Sequence, residues 1–151
     1  MDVENAPQRL RALPSWLLGQ VSHEARRTVG EVLAKAGLHR SQYALLAALE
    51  EFGEQSQTAL SERSGLDRSD VVRWVDDLVG QRLVERTQDP GDRRRNVVSI
   101  TDRGRERLKH LDAQLKRAQT ELLGALTAAE RARLVEMLGR VLGAKPLHTR
   151  D

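Results

Sequence analysis

Apolar residues recur at three- and four-residue steps through most of this 151-residue chain, and at two places they give way to short β-prone runs. Met1 to Leu13 is a polar arm with Pro7 and some helix expected near its end. Leu17, Leu18, Val21, Ala25, Val29, Val32 and Leu33 then trace the stripe of a long amphipathic helix. Pro14 opens it, because a first helical turn does not need the missing N–H, and Gly37 stops it. Tyr43, Leu45, Leu46, Ala48 and Leu49 predict a second helix from about Arg40 to Phe52, ended at Gly53. The short segment from Gln55 to Gly65 follows, with Ser56 as its cap and Ala59, Leu60 and Leu66 turned inward. In the next helix Leu66, Val71, Trp74, Val75 and Leu78 share one face, while Arg68, Ser69, Val72, Arg73 and Asp76 share the other. Asp67 or Ser69 can accept from its first free backbone N–H groups, and Gly80 and Gln81 interrupt it.

Two β-prone runs come next, Leu83 to Thr87 and Asn96 to Ile100, joined across Asp89-Pro90-Gly91-Asp92-Arg93-Arg94-Arg95. Pro and Gly make that tip a turn, and three successive arginines there are expected to have no partner in their own strands, so they face water or a polyanion. Thr101 then caps a helix expected to run for about 24 residues, near 36 Å at 1.5 Å per residue. Its stripe is Leu108, Leu111, Leu115, Ala118, Leu122 and Leu126. Thr127-Ala128-Ala129-Glu130 reads as a capping box, since the threonine and the glutamate can satisfy backbone donors reciprocally. The last helix carries Leu134, Met137, Leu138, Val141 and Leu142, and Gly143 and Pro146 end it.

Two helices of unequal length joined by the tight Ser64-Gly65-Leu66-Asp67 turn predict a helix-turn-helix whose second helix is the reader. The residues around it carry a resemblance. Asp92-x-Arg94, followed after three residues by Val98-x-Ile100-Thr101, resembles the wing signature of the MarR family of winged-helix regulators, with Ile100 where that family usually has Leu. Arg68-Ser69-Asp70 opening the reading helix and Leu83-Val84-x-Arg86 leading into the wing fit the same pattern. The resemblance runs from about Pro14 to Leu142. It implies a mainly α fold with a small β-hairpin wing in one domain, 1–151: a winged helix-turn-helix core over about 40–101, flanked by dimerisation helices at 14–36 and 102–143.

Composition sharpens this picture. Two Trp, one Tyr and one Phe leave the core to Leu, Val and Ala, which suits helices better than a sandwich. The length favours one domain, able to bury about two thirds of its unfolded surface. The formal charge is only +3, yet from Arg86 to Arg117 ten Lys or Arg stand against five Asp or Glu, a local excess of five. Basicity concentrated in this way is a nucleic-acid footprint, although a charge-rich helix is also what a solvated face looks like. The terminal helices carry more leucine stripe than a core this small can cover, and a second copy is the expected cover. A monomer with a folded-back helical pair is the alternative; the resemblance favours the homodimer.

Double-stranded DNA with an inverted repeat is therefore the expected partner. Arg68, Ser69, Val72 and Arg73 are placed for a major groove, where arginine meets guanine O6 and N7 together and Val72 touches a thymine methyl. Arg93, Arg94 and Arg95 reach phosphates or a narrow minor groove. By resemblance Arg94 is the minor-groove residue and Asp92 the carboxylate that holds the wing arginine. Asp70 is a cap or an orienting group for Arg68 or Arg73, or a DNA contact accepting from a cytosine N4. The resemblance further implies a small aromatic or carboxylate effector, bound between the dimerisation helices and the reading unit. Trp16, Gln20, His23 and Tyr43 could line such a site, and ordinary core or surface roles explain each of them singly.

Other classes fit less well. Zero cysteines exclude disulfides, thiolate zinc sites and cysteine peroxide sensing. His23, His39, His110 and His148 are scattered without ligand spacing, so neither a metal nor any other cofactor is expected. No glycine-rich phosphate loop or nucleophile elbow points to an enzyme. There is no secretory signal core and no apolar run near the roughly 18 residues of a membrane span, so the expected place is the cytoplasm, with no membrane partner. A winged-helix module that binds protein instead of DNA, and an activator in place of a repressor, stay open at this level.

Overall fold

The structure, a computed structural model, describes residues 3–92 and 95–144; Arg93, Arg94, Pro146 and His148 lie outside the described residues. A 3-10 turn at Val3–Asn5 and a one-turn helix α1 (Gln8–Arg11) precede α2 (Pro14–Lys35) and α3 (Arg40–Phe52). The chain continues through β1 (Gln55–Ser56), α4 (Gln57–Ser64), α5 (Arg68–Gly80), β2 (Val84–Gln88), β3 (Asn96–Ile100), α6 (Asp102–Leu122) and α7 (Ala128–Val141). This is the expected class, mainly helical with a small antiparallel sheet.

Most helix starts are fixed by side chains taking up free backbone donors. Ser56 Oγ accepts from Ala59 N at 3.2 Å, and Thr101 Oγ1 from Gly104 N at 3.0 Å. Thr127 and Glu130 form the expected reciprocal box, with Thr127 N donating to Glu130 Oε2 at 2.7 Å and Glu130 N to Thr127 Oγ1 at 3.3 Å. At α3 the cap is a residue that the pattern did not single out. His39 Nδ1 accepts from Ser41 N at 3.2 Å, and Gln42 Oε1 accepts from His39 N at 2.8 Å. The α5 start differs from expectation: Asp67 sits at the cap position in extended backbone but makes no side-chain cap bond.

Two further differences concern element limits. The helix after the wing stops at Leu122, four residues short of Leu126, because Leu123 leaves helical geometry and the chain turns through Gly124 toward the Thr127 box. Its 21 residues span about 32 Å. The sheet also has a third strand, in the order β1-β3-β2, with Gln55 and Arg86 flanking Val98 from either side. A two-residue polar strand leaves no alternation to read.

The core lies where α3, α4, α5 and α6 close over the inner face of the sheet. Leu45, Leu46, Leu60, Val71, Val75, Leu78 and Val98 are completely buried there, and Leu33 brings in the C-terminal end of α2. Contacts of α2 with α6 form the largest helix–helix seam. The outer helices leave much apolar surface uncovered: Leu17, Leu18 and Val21 on α2, Val135, Met137 and Val141 on α7, and Leu142 just after it. No helix among the described residues is long and apolar enough to cross a membrane.

Candidate nucleic-acid interface

The burial of one face of α5 dictates what the other presents. With Val71, Val75 and Leu78 at zero exposure, Arg68, Ser69, Val72, Arg73 and Asp76 are left on the surface. Val72 is 42% exposed among charged neighbours, an aliphatic side chain left open on this face. Asp70 lies half-buried, and its Oδ1 accepts from Arg73 Nη2 at 3.3 Å, the geometry of an orienting group for Arg73. Asp76 is engaged elsewhere: it accepts from Arg86 Nη2 at 2.6 Å and so ties α5 to β2.

The hairpin tip is closed by its own backbone. Asp89 N donates to Arg95 O at 2.8 Å, Arg95 N to Asp92 O at 2.9 Å, and Asp89 Oδ1 accepts from Gly91 N at 2.8 Å. Arg95 has an acidic neighbour within this turn, outside both strands, since its Nε lies 3.7 Å from Asp92 Oδ2. Its side chain is nonetheless 72% exposed, so the attraction is weak and open to competition from another anion. The Asp92 carboxylate thus stands beside Arg95, while Arg93 and Arg94 lie outside the described residues.

A polar cleft of about 520 Å³ brings the reading helix and the hairpin together. Arg68 from the start of α5 and Arg95 and Asn96 from the hairpin share it with Gln57, Thr58 and Glu62 of α4. Residues far apart in sequence thereby place Arg68 and Arg95 around one concavity, beside the first turn of α4. Such an arrangement suits a phosphodiester oxygen. Glu62 is the opposing charge in this cleft. Gln57 and Thr58 were not singled out from sequence; their place in the first turn after the Ser56 cap was the available signal.

A second contact was not legible at all. The His39 ring stacks on Trp74 of α5, with centroids 4.5 Å apart and planes 5° from parallel, and the Arg73 guanidinium lies 4.5 Å from the Trp74 ring centroid. The helix cap of α3 and the exposed face of α5 therefore meet at one indole.

The four residues expected around an effector are divided. Gln20 and His23 line one cavity of about 620 Å³ with Gly19, Val21 and, from the end of α6, Leu122 and Leu123. Tyr43 is committed to α6, its hydroxyl donating to Asp112 Oδ1 at 2.8 Å. Burial, then this hydrogen bond, push the phenol up to about 12. Trp16 is half-buried on α2. A separate cavity of about 350 Å³, walled by Val29, Leu33 and Leu38 and edged by Arg26, His39 and Arg40, lies between α2 and the start of α3. It was not foreseen.

Comparison with known proteins agrees with this geometry. The sequence model of the MarR family matches residues 36–95. The uncharacterised HTH-type transcriptional regulator YdgJ of Bacillus subtilis is 32% identical over 108 residues, covering 72% of this chain and 66% of that protein. The HTH-type transcriptional repressor NicR of Pseudomonas putida is 29% identical over 101 residues, covering 67% and 64%. The chain thus spans just under two thirds of the length of these two relatives. Among solved structures, a probable transcriptional regulator from Pseudomonas aeruginosa superposes with a TM-score of 0.75 at 27% identity, covering 88% of this chain and 99% of that one. The PcaV transcriptional regulator of Streptomyces coelicolor, in complex with its natural ligand, superposes with a TM-score of 0.73 at 28% identity, covering 92% and 98%.

Proposed function

This chain belongs to the MarR family, and from that premise we propose that it is a sequence-specific DNA-binding transcriptional regulator acting as a homodimeric repressor. The observation that carries the reading is the joint exposure of Arg68, Ser69, Val72 and Arg73 on α5 beside a cleft that Arg68 shares with Arg95 of the wing. The α5 face reads base edges: an arginine fork meets a guanine bidentately, and Val72 meets a thymine methyl. Arg93, Arg94 and Arg95 hold the backbone or the minor groove, and phosphate contacts set register without naming bases. Asp70 orients Arg73, with which it is paired. The outer helices, 14–36 and 102–143, join two copies, so that two reading helices engage half-sites about one DNA turn, roughly 34 Å, apart on an inverted repeat.

Repression fits the naming of the relative NicR, and release by a small ligand fits the complex of PcaV with its natural ligand. The effector must prefer a dimer whose reading helices are wrongly spaced, since only differential affinity shifts a population. The cavity beside Gln20 and His23, between α2 and the end of α6, is the place we assign to it, within the dimerisation helices rather than between them and the reading unit.

The test is selection from a random duplex library at near-physiological salt, with Arg73→Ala and Arg95→Ala beside the parent. An inverted repeat should be enriched. Arg95→Ala should weaken binding to all duplexes and reduce the salt slope by about one, whereas Arg73→Ala should relax sequence choice at one position per half-site. The opposite pattern overturns the residue assignment. No enrichment, with all three proteins binding equally weakly, overturns DNA reading and leaves a protein-binding winged helix.

A further inference from the structure

Arg73 is an exposed, long side chain on a helix surface, and such a group ordinarily samples many rotamers. Here two neighbours restrict it. Asp70 Oδ1 takes a hydrogen bond from Nη2 at 3.3 Å, and the guanidinium lies 4.5 Å from the Trp74 ring centroid. The indole is itself fixed. One contact is with the core, against which Trp74 packs from α5. The other is the parallel stack on His39. His39 in turn is anchored by the α3 start, its Nδ1 accepting from Ser41 N and its own N–H donating to Gln42 Oε1. Ser41 and Gln42 are buried, so the groups that hold the exposed His39 are themselves fixed in the core. The chain of contacts runs from the buried first turn of α3 through the capping His39 and the indole to an arginine at the surface.

We propose that Trp74 is a positioning residue for sequence reading: held by His39, it fixes the direction from which Arg73 approaches a base pair. This inference rests on the DNA-reading proposal above. A guanidinium over an aromatic face keeps its donor fork free at the edges, because the attraction is to the ring quadrupole and consumes no N–H. Less freedom is then lost when the fork meets its acceptors, which favours the matched site over the mismatched one. Binding to unrelated duplexes, set by phosphate contacts, gains nothing from this arrangement.

The experiment uses the full chain and compares the selected duplex with a scrambled one of equal length. Trp74→Leu fills the apolar space without a π face, Trp74→Phe keeps a ring, and His39→Asn keeps a capping residue without the stack. Trp74→Leu should lower discrimination roughly fivefold, the size of an exposed cation–π contact, while binding to the scrambled duplex and its salt slope stay at the parent value. Trp74→Phe should restore most of the loss, and His39→Asn should reproduce part of it. In a cycle with Arg73→Ala, the loss from Trp74→Leu should vanish once the arginine is gone.

Additive losses in that cycle overturn the positioning role. So does a Trp74→Leu variant that weakens binding to both duplexes in step with a lowered melting midpoint, since that is packing alone. These outcomes differ from failure of the underlying reading, in which the parent itself discriminates between no duplexes and the role of Trp74 falls with it.

Discussion

Gly104 decides whether the wing can close on α6. A Cβ built there would meet Leu83 O at 2.1 Å and Ile100 Cγ1 at 2.7 Å, and the first of these is backbone that cannot swing away. The close approach is used at once: Thr101 Oγ1 donates to Leu83 O at 3.0 Å while accepting from Gly104 N. Gly104→Ala must push the start of α6 off the foot of β2, and we expect a loss of about 1 to 3 kcal/mol in urea unfolding. A variant as stable as the parent would mean that the strand foot yields freely. Tyr43 offers a second test at this scale. Its folded pKa is raised from 10 to about 12, so the folded state holds the phenolic proton more tightly. Stability is complete below pH about 10 and falls as pH rises toward about 12, because the unfolded chain releases that proton first. As the only tyrosine, it can be followed by phenolate absorbance. Asp112→Asn should lower the midpoint only in part, since burial is the larger cause. A parent midpoint near 10 with helix content intact would contradict this environment.

At the scale of elements, the long helices were legible because apolar spacing and caps say the same thing. Pro14 and Gly37 bound α2, Thr101 starts α6, and the Thr127–Glu130 box starts α7. The exposed face of α5 was legible for the same reason, as its buried face fixes it. What escaped depends on partners distant in sequence. β1 exists only because Gln55 and Ser56 find Val98 and Val97 across the sheet. The His39–Trp74 stack joins a cap to a helix 35 positions on, and no local pattern announces it. The turn into β2 is made by Arg82 at φ 59, where a glycine would have been the readable signal; Gly80, two residues earlier, stays helical. Ser56 shows how the two kinds of information meet. It is a residue of β1 and also the cap of α4, so Ser56→Ala should cost about 1 kcal/mol and should loosen α4 against the sheet. Hydrogen exchange at the α4 amides would report that loosening, and unchanged protection there would deny the cap its role.

The whole molecule is lopsided: apolar side chains are drained into the core around α5 and the sheet, while the outer helices hold theirs in the open. Val141 and Leu142 are 77% and 83% exposed, and Leu17, Leu18 and Val21 form a second exposed group on α2. Within a single copy these groups cost little to alter, since charge placed at an exposed site leaves the fold intact. In the proposed dimer they are covered, and the same charge would then be buried without a partner. The double substitution Val141→Glu with Leu142→Glu separates the two situations. In solution the parent should have twice the 16.9 kDa chain mass, and the variant should approach one chain mass with its helix content preserved. A monomer brings one reading helix at a time to an inverted repeat. It loses the effective concentration that the second half-site supplies, so affinity for the full site should fall about 10² to 10⁴-fold while affinity for an isolated half-site is unchanged. If the variant stays dimeric, the C-terminal end of α7 is outside the seam and the exposed group on α2 is the one to charge. If the parent is a monomer that still selects an inverted repeat, the two copies meet on DNA alone, and an effector acting by the spacing of reading helices has no free dimer on which to act.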